Sequence, residues 1–517
     1  MNKLKVIRYV SFLILIFVTV KADAQIEQRT CGTQAYKSDW LKKYQKNPAS
    51  FYKMNDSIIY VPITVQSVAH DNGFGSFAQS KVLDAMCTLN TDFSDANIQF
   101  YLQKTIQVLP ATQYLDHFDI PTGAEMMFAN NVPNTINNYI VKTAAGNCGY
   151  NLPYAGIALN INCITPEDHT WSHEVGHNLG LPHPFLGWEG GVSHDGTVSH
   201  NFANPAPEYV TYNYTLFQDT LILDTLIIDT ALVEKMDGSN CYIAGDGFCD
   251  TPPDYLAYRW QCNPDDGFSS EIQTDPDDIQ FQSDGSLIMS YALDVCANRF
   301  SPEQIDAMRA NLLDEKSTYL DASYTAENIT DYTTVLRLPE AESLVGNQEL
   351  EFFWDPVEHA DFYLFRLYEV NPFLPDLLIT KRDTLVASNS MFVEALSIDR
   401  EYLWEVAPIT DFDFCTINNS DRSSFTTTLV SSVEEDLVSE GISVYPSIAA
   451  VGDNITVEKS ANESYDIAIY DIAGKLIYNE FLNQDKITLS TETWNKGMYV
   501  VQFRKQKEIF VKKILIF

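Results

Sequence analysis

Residues 173 to 183 read His173-Glu174-Val175-Gly176-His177-Asn178-Leu179-Gly180-Leu181-Pro182-His183. At 3.6 residues per turn, His173 and His177 stand on one helix face, about 40° and ~6 Å apart. Two imidazoles so spaced can both reach one zinc ion at ~2.0–2.1 Å. Glu174 follows the first histidine, where its carboxylate can act as general base toward a zinc-bound water. Gly180 can take the left-handed conformation that ends a helix. The chain can then turn and bring in His183 as a third nitrogen donor. Three protein ligands leave a fourth position open, which is the mark of a hydrolytic rather than a structural zinc site. Three histidines, an acid and a glycine at these fixed positions arise by chance on the order of 10⁻⁵ times per chain of this composition. His169, His194 and His200 lie nearby without a spacing rule and read as solvated or structural side chains.

Such a site needs a scaffold, and residues 51–320 read as a mixed α/β unit. SIIYVPITVQSV (57–68) is a β-branched strand, and Ser76 is placed to cap a helix from about Phe77 to Leu89. Val82, Leu83, Met86 and Leu89 fall on one face of that helix. Further strands are expected at 97–102, 134–144 and 155–163, and a helix from near Asp168 carries the histidines. The segment 156–162 is the expected edge strand along which a peptide would lie. TLFQDTLILDTLIIDTALVEKM (215–236) alternates as an extra hairpin would.

After about residue 331 the texture changes. Short alternating runs at 350–357, 361–370, 390–396, 400–409 and 423–429 have the pattern of an all-β sandwich of about 100 residues. Trp354, Tyr363 and Trp404 read as its core aromatics. A linker at 431–441 leads into a second β unit that runs to the C-terminus.

The 517 residues carry 33 Lys plus Arg against 70 Asp plus Glu, a net charge of −37. That balance argues against a nucleic-acid partner, which needs clustered cations. Lys3, Lys5 and Arg8, the apolar stretch 9–20 and Ala22-Asp23-Ala24 read as a cleavable export signal (1–24) that leaves Gln25 first. No transmembrane segment is expected once that signal is removed. Nine cysteines in an exported chain suggest disulfides, with at least one left over. Cys241, Cys249, Cys262 and Cys296 read as loop staples of open connectivity.

The histidine pattern resembles the metzincin signature, which also calls for a methionine turn. Leu287-Ile288-Met289-Ser290-Tyr291 fits that turn. The resemblance implies Met289 as an apolar floor beneath the imidazoles and Tyr291 as a donor to the developing oxyanion. Among metzincins, residues 51–320 resemble the pappalysin (cytophagalysin) family. The resemblance rests on the zinc motif, on Gly245-Asp246-Gly247-Phe248-Cys249-Asp250-Thr251-Pro252, and on Met289-Ser290-Tyr291 with Cys296. It implies a secreted zinc endopeptidase with structural calcium, for which Asp250, Thr251 and Asp254, beside Asp246, offer hard oxygen donors. It also implies that Cys31, in Arg29-Thr30-Cys31-Gly32-Thr33, holds a short propeptide (25–50) on the zinc as a latency switch, and that Asp294 reads a basic substrate residue. The region 331–430 weakly resembles a fibronectin type III module.

Residues 440–517 resemble the C-terminal sorting domain of the type IX secretion system of Bacteroidota. The features are Tyr445-Pro446, the IYDIAGKLIY hairpin, Gly497-Met498-Tyr499 and a lysine-bearing last strand. Ser447 stands where that family usually has Asn followed by Pro. The expected fold class is therefore an α/β metzincin-like catalytic domain, a mixed twisted sheet plus the active-site helix, followed by two all-β sandwich domains. The expected function is a secreted zinc-dependent endopeptidase that hydrolyses peptide bonds in protein substrates. It would be exported through type IX machinery to the medium or the outer-membrane surface. The alternative is a cell-surface adhesin or binding protein with a vestigial metal site.

Overall fold

The computed structural model describes residues 31–34, 36–51, 57–189, 200–216, 225–428, 442–459, 464–472, 475–482, 484–505 and 508–516. The export signal, the linker, His194 and the tip of the 215–236 hairpin lie outside the described residues.

The first unit is built on one sheet. Strand β1 (Ile59–Ala69) pairs in parallel with β2 (Ile98–Leu102) at its start and with β3 (Gln107–Pro110) at its end. On its other side β1 pairs with β4 (Ile136–Val141), and β4 pairs with β6 (Gly156–Asn160), both in parallel. Strand β5 (Gly149–Leu152) closes the edge and is the antiparallel member. The strand in segment 156–162 is therefore interior, and β5 is the edge strand on that side of the sheet. The near-continuous burial of β1 and β4 reflects a sheet covered on both faces.

Helix α1 (Asp39–Lys46) precedes the sheet, α2 (Gln79–Asp92) covers one face, and α3 (Thr170–Asn178) carries the first two histidines. Helix α2 starts later than the sequence suggests, and Ser76 does not cap it. The cap comes from far along the chain, because Asp383 accepts from Ser80 N at 2.7 Å and from Ser80 Oγ. Helix α3 ends as expected at Gly180, whose φ is +96°. Leu181 N donates to Gly176 O and Gly180 N to His177 O, both at 3.0 Å, which satisfies carbonyls the helix end would orphan. Helix α4 (Pro302–Leu313) begins with a Ser301–Gln304 capping box.

Residues 336–428 form two stacked sheets around Trp354, Tyr363, Phe365 and Trp404. The other face of the larger sheet joins the first unit. Phe362, Leu364, Leu385, Ala407, Ile409 and Phe414 share one core with Val61, Leu83, Phe100 and Trp171. The Cys87–Cys415 disulfide crosses this junction. Residues 442–516 form a separate pair of sheets with their own core, including Ile467, Trp494 and Phe503.

The remaining disulfides are Cys148–Cys163, Cys241–Cys249 and Cys262–Cys296. Cys31 is the free cysteine.

Candidate functional site

Helix α3 is held in place by its neighbours. Trp171 is buried and donates Nε1 to Asn138 Oδ1 at 3.0 Å, which ties the helix to β4. Asp92, at the end of α2, accepts from Ser172 Oγ and faces His169 Nδ1 at 2.8 Å. Two glycines allow close approach. A Cβ on Gly149 would lie 2.9 Å from Glu174 Cγ, and one on Gly176 would lie 2.5 Å from Met289 Sδ. The edge strand therefore lies against the Glu174 side of α3, and the methionine turn against its underside.

The three predicted histidines converge. Their Nε2 atoms stand 3.1 Å (His173–His177), 3.0 Å (His177–His183) and 3.2 Å (His173–His183) apart. Nδ1 of His173 faces Ile288 O and Nδ1 of His177 faces Leu181 O, each at 2.7 Å. A carbonyl can only accept, so in both rings Nδ1 carries the hydrogen and Nε2 points a lone pair inward. His183 Nδ1 faces the Glu189 carboxyl group at 3.2 Å, and an ionised carboxylate there calls for the same tautomer. Three buried lone pairs that face one another have no donor between them. Protonation is no remedy. Burial holds His173 down to about 4, and burial plus mutual repulsion holds His177 and His183 well below the ordinary histidine range. A cation satisfies all three at once. Nitrogens each ~2.0–2.1 Å from one tetrahedral ion stand roughly 3.3–3.4 Å apart, within a few tenths of the observed triangle.

Glu174 is fully buried beside this triangle. Oε2 accepts from Thr33 Oγ1 at 2.7 Å, while Oε1 has no hydrogen-bond partner. Burial pushes its carboxyl up to about 7, against the lowering effect of hydrogen bonds from Cys31 and Thr33. Met289 is fully buried beneath the helix. The Tyr291 ring stands 4.9 Å from that of His183, and its hydroxyl donates to Cys31 O at 3.3 Å.

Cys31 joins the histidines, since its Sγ and the three ring nitrogens lie within 4.8 Å of one another. Burial and the Glu174 charge push its thiol well up. The segment that carries it is firmly seated. Gly32 N donates to Gly149 O at 2.8 Å, and Asn151 N donates to Thr33 Oγ1 at 2.7 Å. Thr215 N donates to Gln34 Oε1 at 2.6 Å, and Tyr36 stacks on Tyr214. In α1, Trp40, Leu41 and Tyr44 enter the main core. Thr33 and Glu189 escaped the sequence reading. A hydroxyl two residues after a cysteine and an acid six residues after a histidine carry no spacing signal.

The expected calcium donors Asp250, Thr251 and Asp254 are each hydrogen-bonded within the protein. Asp250 accepts from Ser301 Oγ and Glu303 N and so caps α4. Thr251 donates to Asp246 Oδ1 and Phe248 O. Asp254 accepts from Leu256 N, Ser283 Oγ and Ser290 Oγ, which ties it to the methionine turn. Among the described residues the one cluster of three or more His, Cys, Asp or Glu side chains able to hold a metal is Cys31, His173, His177 and His183. Asp294 pairs with Arg259 and accepts from His169 N, so its charge is already matched.

Residues 443–517 match the secretion system C-terminal sorting domain family. The tail marks the chain for type IX export by a Bacteroidota-type bacterium, to the surface or the extracellular space. Among the described residues no helix is long and apolar enough to cross a membrane. No curated protein matches the chain. Similar solved structures include a single-mutant thermostable endoglucanase from Alicyclobacillus acidocaldarius. It is 10% identical over 15% of this chain and 15% of that one, with a TM-score of 0.13. The chain thus spans about a seventh of that enzyme's length. Two others are the fn3 domain of human collagen alpha-1(XX) chain and the fibronectin type-III domain of human fibronectin type III domain containing protein 3. They are 17% and 18% identical over 22% of this chain and 99% and 96% of theirs, each with a TM-score of 0.15.

Proposed function

We propose that the protein is a secreted zinc-dependent endopeptidase of the metzincin class, pappalysin-like in its motif, produced in a latent form. The observation that carries this reading is the triangle of inward lone pairs from His173, His177 and His183, 3.0–3.2 Å on a side, with the buried carboxylate of Glu174 beside it. The three histidines would hold the ion. A bound zinc supplies Lewis acidity toward a peptide carbonyl and lowers the pKa of water.

The chain's own groups do the rest. Edge strand β5 offers backbone hydrogen bonds to an extended peptide. Glu174 Oε1, which has no partner, takes a proton from the attacking water and returns it to the leaving amine. Tyr291 donates to the carbonyl oxygen as charge develops there. Its present acceptor, Cys31 O, is itself a peptide carbonyl, so the N-terminal segment takes the place of a substrate. Cys31 Sγ faces the open side of the histidines, and its seating supports latency through the thiol.

The competing reading, an adhesin with a vestigial metal site, gives no reason to retain a buried and half-unsatisfied carboxylate, which costs stability. The test is zinc content, followed by casein digestion with and without chelator after removal of the N-terminal segment. Activity is expected to require zinc and to fall by roughly 10²–10⁴-fold in Glu174→Ala while zinc stays bound. Digestion that survives Glu174→Ala overturns the assignment.

A further inference from the structure

We infer that Glu189 is a positioning residue of the metal centre, a role that rests on the reading of the three histidines as zinc ligands. Its carboxylate fixes the His183 ring and tightens metal binding through the charge it brings. The three rings are not held alike. His173 and His177 lean on peptide carbonyls, whereas His183 leans on the carboxyl group of Glu189, 3.2 Å from Nδ1. A carboxylate in that place favours positive charge on the imidazole and makes its other nitrogen a stronger donor to a metal.

Glu189 is itself fixed. Its Oε2 accepts from Gly187 N at 2.7 Å, within a turn in which Leu186 N donates to His183 O and Trp188 N to Phe185 O. Gly187 has a φ of +105°, and a Cβ there would lie 2.6 Å from Ala231 Cβ, so this turn requires glycine. The Phe185 ring stacks on His183 at 4.5 Å, which leaves the imidazole little freedom. Among the described residues no lysine or arginine pairs with Glu189, although its side chain is 14% exposed. A carboxylate in such a setting is costly unless a cation offsets it. Glu174 and Glu189 together place two acidic side chains beside neutral rings, where a divalent ion would offset the cost of ionising them.

The test compares full-length wild type, Glu189→Gln and Glu189→Ala. Each is stripped of metal, checked for folding by its thermal transition, and titrated with zinc against a chromophoric chelator. Glu189→Ala is expected to lose 10–100-fold in zinc affinity. Glu189→Gln keeps an acceptor of the same shape without the charge and is expected to fall between the two. Cobalt(II) loaded at the site should show shifted d–d bands in Glu189→Gln, which a merely structural residue would not cause. Folded variants that bind zinc within twofold of wild type, with unshifted cobalt bands, overturn the assignment. If Glu189→Ala does not fold, Glu189→Gln alone decides. A wild-type chain that takes up no zinc overturns the reading of the three histidines, and this role with it.

Discussion

The hydroxyl of Thr33 donates to Glu174 Oε2 at 2.7 Å and accepts from Asn151 N at 2.7 Å, joining the N-terminal segment to both the buried Glu174 and the edge strand. Thr33 thus engages the same two elements that a substrate would need. Thr33→Val keeps the shape and removes both bonds. At about 1 kcal/mol for each bond, the segment should be held roughly 10–30-fold less tightly. The unprocessed variant should cleave a fluorogenic peptide faster than the unprocessed wild type. Equal rates would mean that Thr33 contributes nothing to latency.

Gly176 faces Met289 Sδ at a distance no real Cβ shows. In an exposed helix Gly→Ala stabilises by about 1 kcal/mol. Here overpacking should win, because Phe300 Cε1 lies 3.3 Å from the same added atom. Gly176→Ala is expected to lose about 1–3 kcal/mol in denaturant unfolding. A gain would show that the methionine turn yields easily.

Asp383 caps α2 from the neighbouring sandwich. Asp383→Ala should cost about 0.5–2 kcal/mol. Since α2 ends at Asp92, which holds Ser172, the loss should also lower zinc affinity modestly. Thermal unfolding and zinc titration of one sample check both effects.

Asp246 gives a dependence on pH. Burial pushes its carboxyl from 3.8 up to about 6, against hydrogen bonds from Phe248 N and Thr251 and the nearby Lys37 charge. Below pH 4 the group is protonated in both folded and unfolded chains and contributes nothing to the difference. Between pH 4 and 6 the unfolded chain ionises first, so stability falls as pH rises, by about 3 kcal/mol at most, and the loss is complete above 6. Asp246→Asn should flatten the unfolding free energy across that window. An unchanged slope would mean that Asp246 ionises normally in the folded protein.

The histidine motif, the glycine that ends its helix and the methionine turn were legible because their spacing is local and their chemistry specific. The two sandwiches were legible from alternation. What escaped the sequence depends on distant contacts. Ser76 looked like a cap because local capping is the common case, yet the cap on α2 lies some 300 residues away at Asp383. Segment 156–162 looked like an edge because periodicity does not report neighbours, and β5, only four residues long, takes that place. Asp250 and Asp254 read as cation donors from composition alone, and their hydrogen bonds to the start of α4 and to Ser290 rest on partners 36 to 53 residues away that no local spacing reports.

The Cys87–Cys415 bond spans 328 residues and closes a core shared by the histidine-bearing unit and the first sandwich. Any newly made chain therefore reaches the histidine-bearing helix long before it owns the sandwich face that completes the core they share. A shortened polypeptide that ends before the first sandwich would contain His173, His177 and His183 and yet lack the part of the shared core that Phe362, Leu364, Ala407 and Ile409 supply.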